Sequence, residues 1–144
     1  TELLYRQEKP GNDGFRRVDF YGGWEGDSKN AVTGKGLTSE EVEAQKFFTH
    51  LFNWRKAATA IHNGKFKHYA PEKNDAYVYF RYNDTQKIMV ILNKNDKKTT
   101  LDMKTYQDMI PSIFNAKDAL SGKEINVNGT LEVAPKSALI LEIK

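Results

Sequence analysis

The sequence predicts a mainly β protein that opens with a long loop and one long helix and closes in an antiparallel β-sandwich. Three observations predict this fold class: glycines crowd the first 36 residues, a helical pattern fills residues 38–64, and short apolar runs alternate with turn residues from residue 65 onward. We therefore divide the chain into residues 1–64 and residues 65–144.

The bulk composition excludes several classes of protein. Hydrophobic residues make up 39% of the chain and charged residues 28%, which favours a packed core over disorder. No run approaches the roughly 18 apolar residues of a membrane-spanning helix. The net charge is only +3 and no lysine or arginine block exceeds two residues, so we predict neither a nucleic-acid nor a membrane partner. The absence of cysteine leaves the compartment open, with a periplasmic or extracellular location favoured over a cytoplasmic one.

The first part, up to about Leu37, reads as loop. It holds Pro10 and seven of the ten glycines, at positions 11, 14, 22, 23, 26, 34 and 36. Loops longer than roughly 12–15 residues are uncommon in compact domains unless they are functional or disordered. A domain that opens this way looks incomplete, and we expect that the protein begins upstream of Thr1.

The second part reads as one helix with clear start and stop signals. Thr38 and Glu41 form a capping box, in which each side chain can bond to the backbone amide of the other residue. Apolar residues at helical spacing continue to Ile61, and Gly64 is placed to end the helix in a left-handed conformation. The apolar arc is too wide for a single partner, so we expect neighbours on more than one side of the helix.

The third part reads as strands joined by turns. Residues 77–82 and 87–93 form the first predicted pair, and the run 88–92 is apolar on both faces, which predicts a central strand covered on both sides. Further strands are expected near 97–102 and 116–120 and at 137–143. Asn128-Gly129 predicts a hairpin between residues 124–127 and 130–133.

The loop segment DFYGGWEGD raises the question of catalysis. A glycosidase needs two carboxylates across the scissile bond, roughly 5–5.5 or 6.5–9.5 Å apart. Asp19, Glu25 and Asp27 are the candidates, but all three lie on one glycine-rich loop that lacks the rigid support of catalytic groups. We predict no catalytic residue here and expect Asp19 and Asp27 to cap turns or accept loop amides.

The sequence offers few residues for metal binding or cofactor chemistry. His50 and His62 lie about 18 Å apart along the predicted helix, His68 lies beyond it, and no metal-binding motif occurs, so neither a metal site nor a cofactor is predicted. Sugar stacking is more plausible, because Trp24, Tyr77, Tyr79 and Tyr82 offer flat rings. The alternative is that these rings pack against a neighbouring layer.

Taken in order, these segments resemble the C-terminal end of the α-amylase superfamily, glycoside hydrolase family 13, and most closely its neopullulanase/cyclomaltodextrinase-like branch. The most specific match is residues 17–24, RVDFYGGW, which is similar to the branch's Arg-x-Asp-Phe-Pro-Gly-Gly-Trp loop, with Tyr21 in place of proline. Residues 1–4 are similar to the segment after the eighth barrel strand, residues 51–56 to the last barrel helix, and residues 76–93 to the first strand pair of the C-terminal domain.

The resemblance implies that residues 1–64 are the last loop and helix of a (β/α)₈ barrel and residues 65–144 the C-terminal sandwich. The family's catalytic Asp, Glu and second Asp follow barrel strands four, five and seven, so all of them would precede Thr1. The loop would line the substrate cleft of the intact enzyme through Arg17, Asp19 and Trp24.

The partners implied are α-glucan oligosaccharides, in the intact enzyme, and the missing barrel of the same polypeptide. The parent would cleave α-1,4 glucosidic bonds, with α-1,6 bonds as an alternative, and this chain alone would be inactive. Two other functions stay open, a carbohydrate-binding sandwich and a homodimer formed through the exposed helix.

Overall fold

The computed structural model describes residues 19–71 and 76–144, which form two compact units, one ending at Phe52 and the other spanning Asn53–Lys144. The helices are α1 (Ser39–Ala57) and α2 (Thr59–Asn63), and a 3-10 turn covers Met103–Tyr106. The strands are β1 (Lys65–Tyr69), β2 (Tyr77–Tyr82), β3 (Lys87–Asn93), β4 (Thr99–Asp102), β5 (Ile113–Asp118), β6 (Glu124–Asn128), β7 (Thr130–Val133) and β8 (Ser137–Ile143).

The strands form one sheet in the order β1-β2-β3-β8-β5-β6-β7-β4, and each of these pairings is antiparallel. The main core joins Val78 and Phe80 near one end of that order to Leu101 and Val133 near the other. The sheet must therefore fold back on itself to enclose the core. This confirms the predicted antiparallel sandwich and adds that its two layers belong to one continuous sheet.

Strand β3 lies between β2 and β8, as its two apolar faces predicted. Met89 and Ile91 point into the main core. Ile88 and Val90 point the other way and are buried against residues that precede the sheet, including Ala58 and Ala60. The predicted bounds of both β2 and β3 are confirmed.

The prediction of one unbroken helix up to residue 63 is wrong. The backbone leaves the helical conformation at Ala58, with φ −82° and ψ 86°, and a second short helix follows. The break lets both Ala58 and Ala60 reach the sheet, where they are buried. The side chain of Gln86 accepts a hydrogen bond from the Ala60 amide at 3.0 Å, so this amide, freed from the helix, keeps a partner.

The predicted left-handed conformation of Gly64 is also wrong, since this residue is extended, with φ −80° and ψ 159°. Glycine is needed there for space, because a Cβ would lie 2.2 Å from the Ala60 carbonyl oxygen and 2.8 Å from that of Tyr82. The guanidinium of Arg81 donates to the carbonyls of Ile61 and Gly64 at 2.8 and 2.9 Å. Arg81 thus satisfies the helix end in place of a left-handed cap.

Later in the chain the predicted strands shift but remain. The predicted strand at 116–120 begins three residues earlier, at Ile113, and the one near 97–102 is shortened to Thr99–Asp102. The hairpin around Asn128-Gly129 is confirmed by β6 and β7.

The buried side-chain amide of Asn93 supplies a test of the fold. Asn93, only 2% exposed, donates to the Ala134 carbonyl at 2.8 Å and accepts from the Asn95 amide at 3.0 Å and the Thr99 hydroxyl at 3.3 Å. We expect Asn93→Ala to lower the free energy of unfolding in urea by about 2–3 kcal/mol, because buried polar groups lose their partners. The control Asn126→Ala removes an exposed bond and should cost under about 0.5 kcal/mol. Equal losses in the two variants would contradict the assignment.

Candidate functional site

The loop that the sequence singled out is held in shape by its own hydrogen bonds. The carboxylate of Asp27 accepts from the amides of Gly22 at 2.9 Å and Trp24 at 3.2 Å. The Gly23 amide donates to the Phe20 carbonyl at 3.0 Å. Asp27 therefore closes the turn that carries Trp24, which is the role predicted for it from the sequence.

A second turn packs against the first. The Asn30 side chain accepts from the amides of Val32 and Thr33 at 2.9 and 2.8 Å. The same side chain presses against Gly22, where a Cβ would lie 2.4 Å from Asn30 Nδ2 and the backbone has φ +87°. Only glycine satisfies both the space and the left-handed backbone at this position. The Ala31 amide donates to the Tyr21 carbonyl at 2.9 Å and ties the two turns together.

The start of α1 anchors this double turn. Glu41 accepts from the Thr38 amide at 2.8 Å and Thr38 Oγ1 accepts from the Glu41 amide at 3.2 Å, which confirms the predicted capping box. Lys29 Nζ reaches the same carboxylate at 2.7 and 2.9 Å and lies 4.9 Å from the centre of the Tyr21 ring. The hydrogen bond from Lys29, with that from the Thr38 amide, lowers the pKa of Glu41 below its usual 4.5.

This frame presents Trp24 to solvent. Its side chain is 70% exposed, and Asp19 and Phe20, a few residues earlier in the chain, are exposed as well. Arg17, the third predicted cleft residue, lies outside the described residues. An exposed indole on a loop held by local bonds is a surface that can stack on a flat ligand without first having to order itself.

Two carboxylates in and beside the loop are already engaged by groups of the protein. Asp27 is engaged by two amides and Glu41 by Lys29, while Asp19 and Glu25 are exposed. Within residues 19–71 and 76–144, no three histidine or carboxylate side chains come together in a way that could hold a metal ion. In the same ranges no helix is long and apolar enough to cross a membrane.

The sheet tyrosines occupy two environments. Tyr82 packs against the main core. Tyr77 and Tyr79 lie half-buried on the opposite face, in contact with two rings of β1 that the sequence analysis did not single out. We name the set Phe66, His68, Tyr77 and Tyr79 the aromatic ladder; successive ring centroids lie 5.5–6.1 Å apart. Burial, together with neighbouring Tyr77, raises the pKa of Tyr79.

The signal for the β1 rings was present in the sequence. Lys65-Phe66-Lys67-His68-Tyr69 alternates along a strand, which places Phe66 and His68 on one face. Of these two, Phe66 is 53% exposed.

Helix α1 carries a further exposed apolar patch. Phe47 and Phe52 are about half exposed, and both rings contact that of Phe48 between them. Self-association through this helix stays a prediction.

The comparison with protein families gives one match. Residues 66–142, just over half of the chain, fit the family described as the cyclo-malto-dextrinase C-terminal domain. This confirms the resemblance to a C-terminal domain of glycoside hydrolase family 13, while the loop and helix motifs lie outside the matched residues.

Solved structures share the fold at low sequence identity. A crystal structure of AmyP in complex with maltotriose is 18% identical with a TM-score of 0.67, covering 82% of this chain and 24% of that one. An α-amylase from Anoxybacillus is 16% identical with a TM-score of 0.57, covering 80% and 25%. The trehalulose synthase MutB from Pseudomonas mesoacidophila MX-45 is also 16% identical with a TM-score of 0.57, covering 80% and 24%. The chain thus spans about a quarter of the length of the structures it matches.

The contact between Lys29 and Glu41 predicts that the stability of the loop depends on pH. Because the folded pKa of Glu41 is lowered, its stabilisation is present above pH 4.5 and is lost as the pH falls through the folded pKa. We expect Lys29→Met to raise the pKa of Glu41 toward 4.5, as read from its carboxyl carbon by NMR. The control is Lys35→Met, at an exposed lysine of the same loop, which should leave that pKa in place. An unchanged pKa in Lys29→Met would contradict the role of Lys29.

Proposed function

This chain belongs to the cyclo-malto-dextrinase C-terminal domain family, and from that premise we propose that its parent is an α-glucan hydrolase of the α-amylase type. The parent would cleave α-1,4 glucosidic bonds in maltooligosaccharides, cyclodextrins or pullulan, with α-1,6 bonds as an alternative target. Residues 65–144 would serve as its C-terminal sandwich, with a structural role.

The family match carries this proposal, and the structural similarity supports extending it toward the N-terminus. The family match begins at residue 66, and Asn53–Lys144 makes up only about two thirds of the chain. The similarity to AmyP covers 82%, so it includes part of the preceding unit. We therefore propose that residues 1–64 are the last loop and helix of the catalytic barrel.

In the parent, the loop would form one wall of the substrate cleft. Loops that follow the strands of such a barrel gather at its catalytic face. The exposure of Trp24 and Asp19 and the local bonds that hold their turn support this role, and Arg17 is proposed with them from its place in the same motif. Trp24 would stack on a glucose ring, and Asp19 and Arg17 would bond to its hydroxyl groups.

The chain alone should not hydrolyse glucan. Hydrolysis needs one carboxyl group that protonates the leaving oxygen and a second that attacks or activates water, in environments that separate their pKa values. Asp27 accepts hydrogen bonds from backbone amides and Glu41 accepts one from Lys29, while Asp19 and Glu25 are exposed to water. We propose that the catalytic groups of the parent lie upstream.

The test is an assay of the 144-residue chain on maltoheptaose. Because the chain would hold one wall of a cleft and no acid/base pair, we expect reducing-sugar release equal to the blank. An authentic α-amylase added to a parallel sample checks the sensitivity of the assay. Release above the blank by the purified chain would refute the proposal that it is inactive alone.

A second candidate function is glucan binding without hydrolysis. The observation that favours it is the 70% exposure of Trp24 on a self-supported turn. One ring offers a small apolar area, so binding would be weak, with Kd on the order of 1 mM.

The chain's two tryptophans make this testable by fluorescence. We expect maltoheptaose to quench the emission of Trp54→Phe, where Trp24 is the remaining indole, and to leave that of Trp24→Ala unchanged. Trp54 is the matched control because its indole is held by a hydrogen bond to Glu142 at 2.9 Å. A flat titration in Trp54→Phe would remove this candidate.

A further inference from the structure

The two edge strands of the sheet, β1 and β4, flank a cavity of about 350 Å³, which we name the seam pocket. Its lining includes Tyr69 at the end of β1, Ala76 just before β2, Thr100 and Asp102 of β4, and Thr105 in the 3-10 turn. Among the described residues, no strand pairs with the outer edge of β1 or of β4, so both edges present backbone polar groups that the sheet does not pair. The volume lies within the roughly 300–1,000 Å³ of small-molecule sites.

One wall of the seam pocket is aromatic and is held in place by the protein. The rings of Tyr69 and Tyr106 meet edge to face, with centroids 4.8 Å apart and planes at 88°. Tyr106 is buried and belongs to the main core. The Tyr69 hydroxyl donates to the carboxylate of Asp108, which Lys67 also binds. This wall is therefore set before a ligand arrives, which lowers the entropic cost of binding.

The opposite wall carries exposed polar groups. Asp102 Oδ1 accepts from the Lys104 amide at 2.9 Å, which fixes the carboxylate. No protein group within the described residues bonds to Asp102 Oδ2, and the same holds there for the hydroxyls of Thr100 and Thr105. The seam pocket thus offers a carboxylate oxygen and two hydroxyls opposite an aromatic wall.

The charge of the lining selects a neutral ligand. No lysine or arginine stands among the described residues that line the pocket, so an anion would meet only the negative charge of Asp102. A single carboxylate does not make a metal site, and the described part of the chain holds no cluster of three potential metal ligands. A pyranose ring carries hydroxyls round its edge and C–H groups on its faces, which match the polar wall and the aromatic wall respectively.

We propose that the seam pocket binds a short segment of an α-glucan. Asp102, Thr100 and Thr105 bond to its hydroxyl groups, and Tyr69 contacts the C–H groups of a glucose ring. The pocket itself gives the class of ligand, a neutral sugar, whereas the choice of an α-glucan rests on the proposed function. The contact area is small, so the Kd is on the order of 1 mM.

The test is a titration of the 144-residue chain with maltotriose, in which backbone amide signals are followed by NMR. It is made in the Trp24→Ala background, so that the glycine-rich loop contributes no stacking. We expect the amide signals of residues 100–106 to shift and to saturate, because the ligand contacts β4 and the 3-10 turn.

Two variants remove single contacts and keep the local structure. Thr100→Val removes a hydroxyl from an exposed strand position, and Asp102→Ser removes the carboxylate but leaves an oxygen that can cap the 3-10 turn. Each should raise the Kd for maltotriose about fivefold, as expected for one lost hydrogen bond. The matched control is Thr130→Val, at an exposed threonine that pairs with Asp102 but does not line the pocket, and its Kd should stay within about 1.5-fold.

Three results would overturn the inference. One is the absence of a saturable shift at residues 100–106, and another is an equal Kd in Thr100→Val and Thr130→Val. The third is a shift of the same signals on raising the protein concentration without sugar, which would identify an interface between copies of the chain. Equal binding of cellotriose, the β-linked isomer, would overturn the assignment to an α-glucan.

The titration involves no hydrolysis, so its failure leaves the proposed function standing. The proposed function fails separately if the enzyme expressed from its full reading frame does not hydrolyse maltoheptaose.

Discussion

The second unit depends on one constraint, which is that strand β3 is apolar on both faces and both faces must be kept from water. Met89 and Ile91 require a core on one side, and the sheet supplies it by curving so that strands from both parts of its order contribute to one core. Ile88 and Val90 require a separate cover on the other side, which the sheet has no strand left to supply. The polypeptide just before the sheet provides it, and this explains why the chain bends at residue 58 instead of continuing as a straight helix. The transfer of each such side chain from water stabilises the fold by roughly 1.5–3 kcal/mol, so both covers are substantial.

Placing helical residues against a sheet leaves polar groups that need partners, and three side chains of the sheet and of its β2–β3 turn provide them. Arg81 donates to carbonyls at the end of α2, and Gln86 accepts from an amide at its start. Glu142 accepts from the Trp54 indole N–H at 2.9 Å and from the side-chain amide of Gln86 at 3.5 Å. Among the described residues, no buried side-chain nitrogen or oxygen lacks a hydrogen-bond partner. Apolar contact with the sheet stabilises the packing of these helical residues. The hydrogen bonds fix their orientation, because an unpaired buried polar group would cost about 1–3 kcal/mol.

Sequence reasoning succeeded where the determining interactions are local or strictly periodic. The bounds of β2 and β3, the capping box and the Asn128-Gly129 hairpin all follow from residues close together in the chain. It failed at Ala58 and Gly64, whose conformations are decided by strands that come later. The same division holds for the candidate surfaces. The role of Asp27 was visible in its own turn, whereas the exposure of Trp24 and the alignment of the β1 and β2 rings depend on which elements pack where.

The bonds of the glycine-rich loop have a consequence for the order of folding. Those that shape its two turns join residues five or fewer positions apart, such as Gly22 to Asp27 and Val32 to Asn30. The pairing of strands β3 and β8, by contrast, joins Ile88 to Glu142 and can form only when most of the chain is present. Because short loops close faster than long ones, the turn that carries Trp24 can form early, while the sheet is still assembling. As the ribosome releases the chain from its N-terminal end, this turn would exist before the last strand is synthesised.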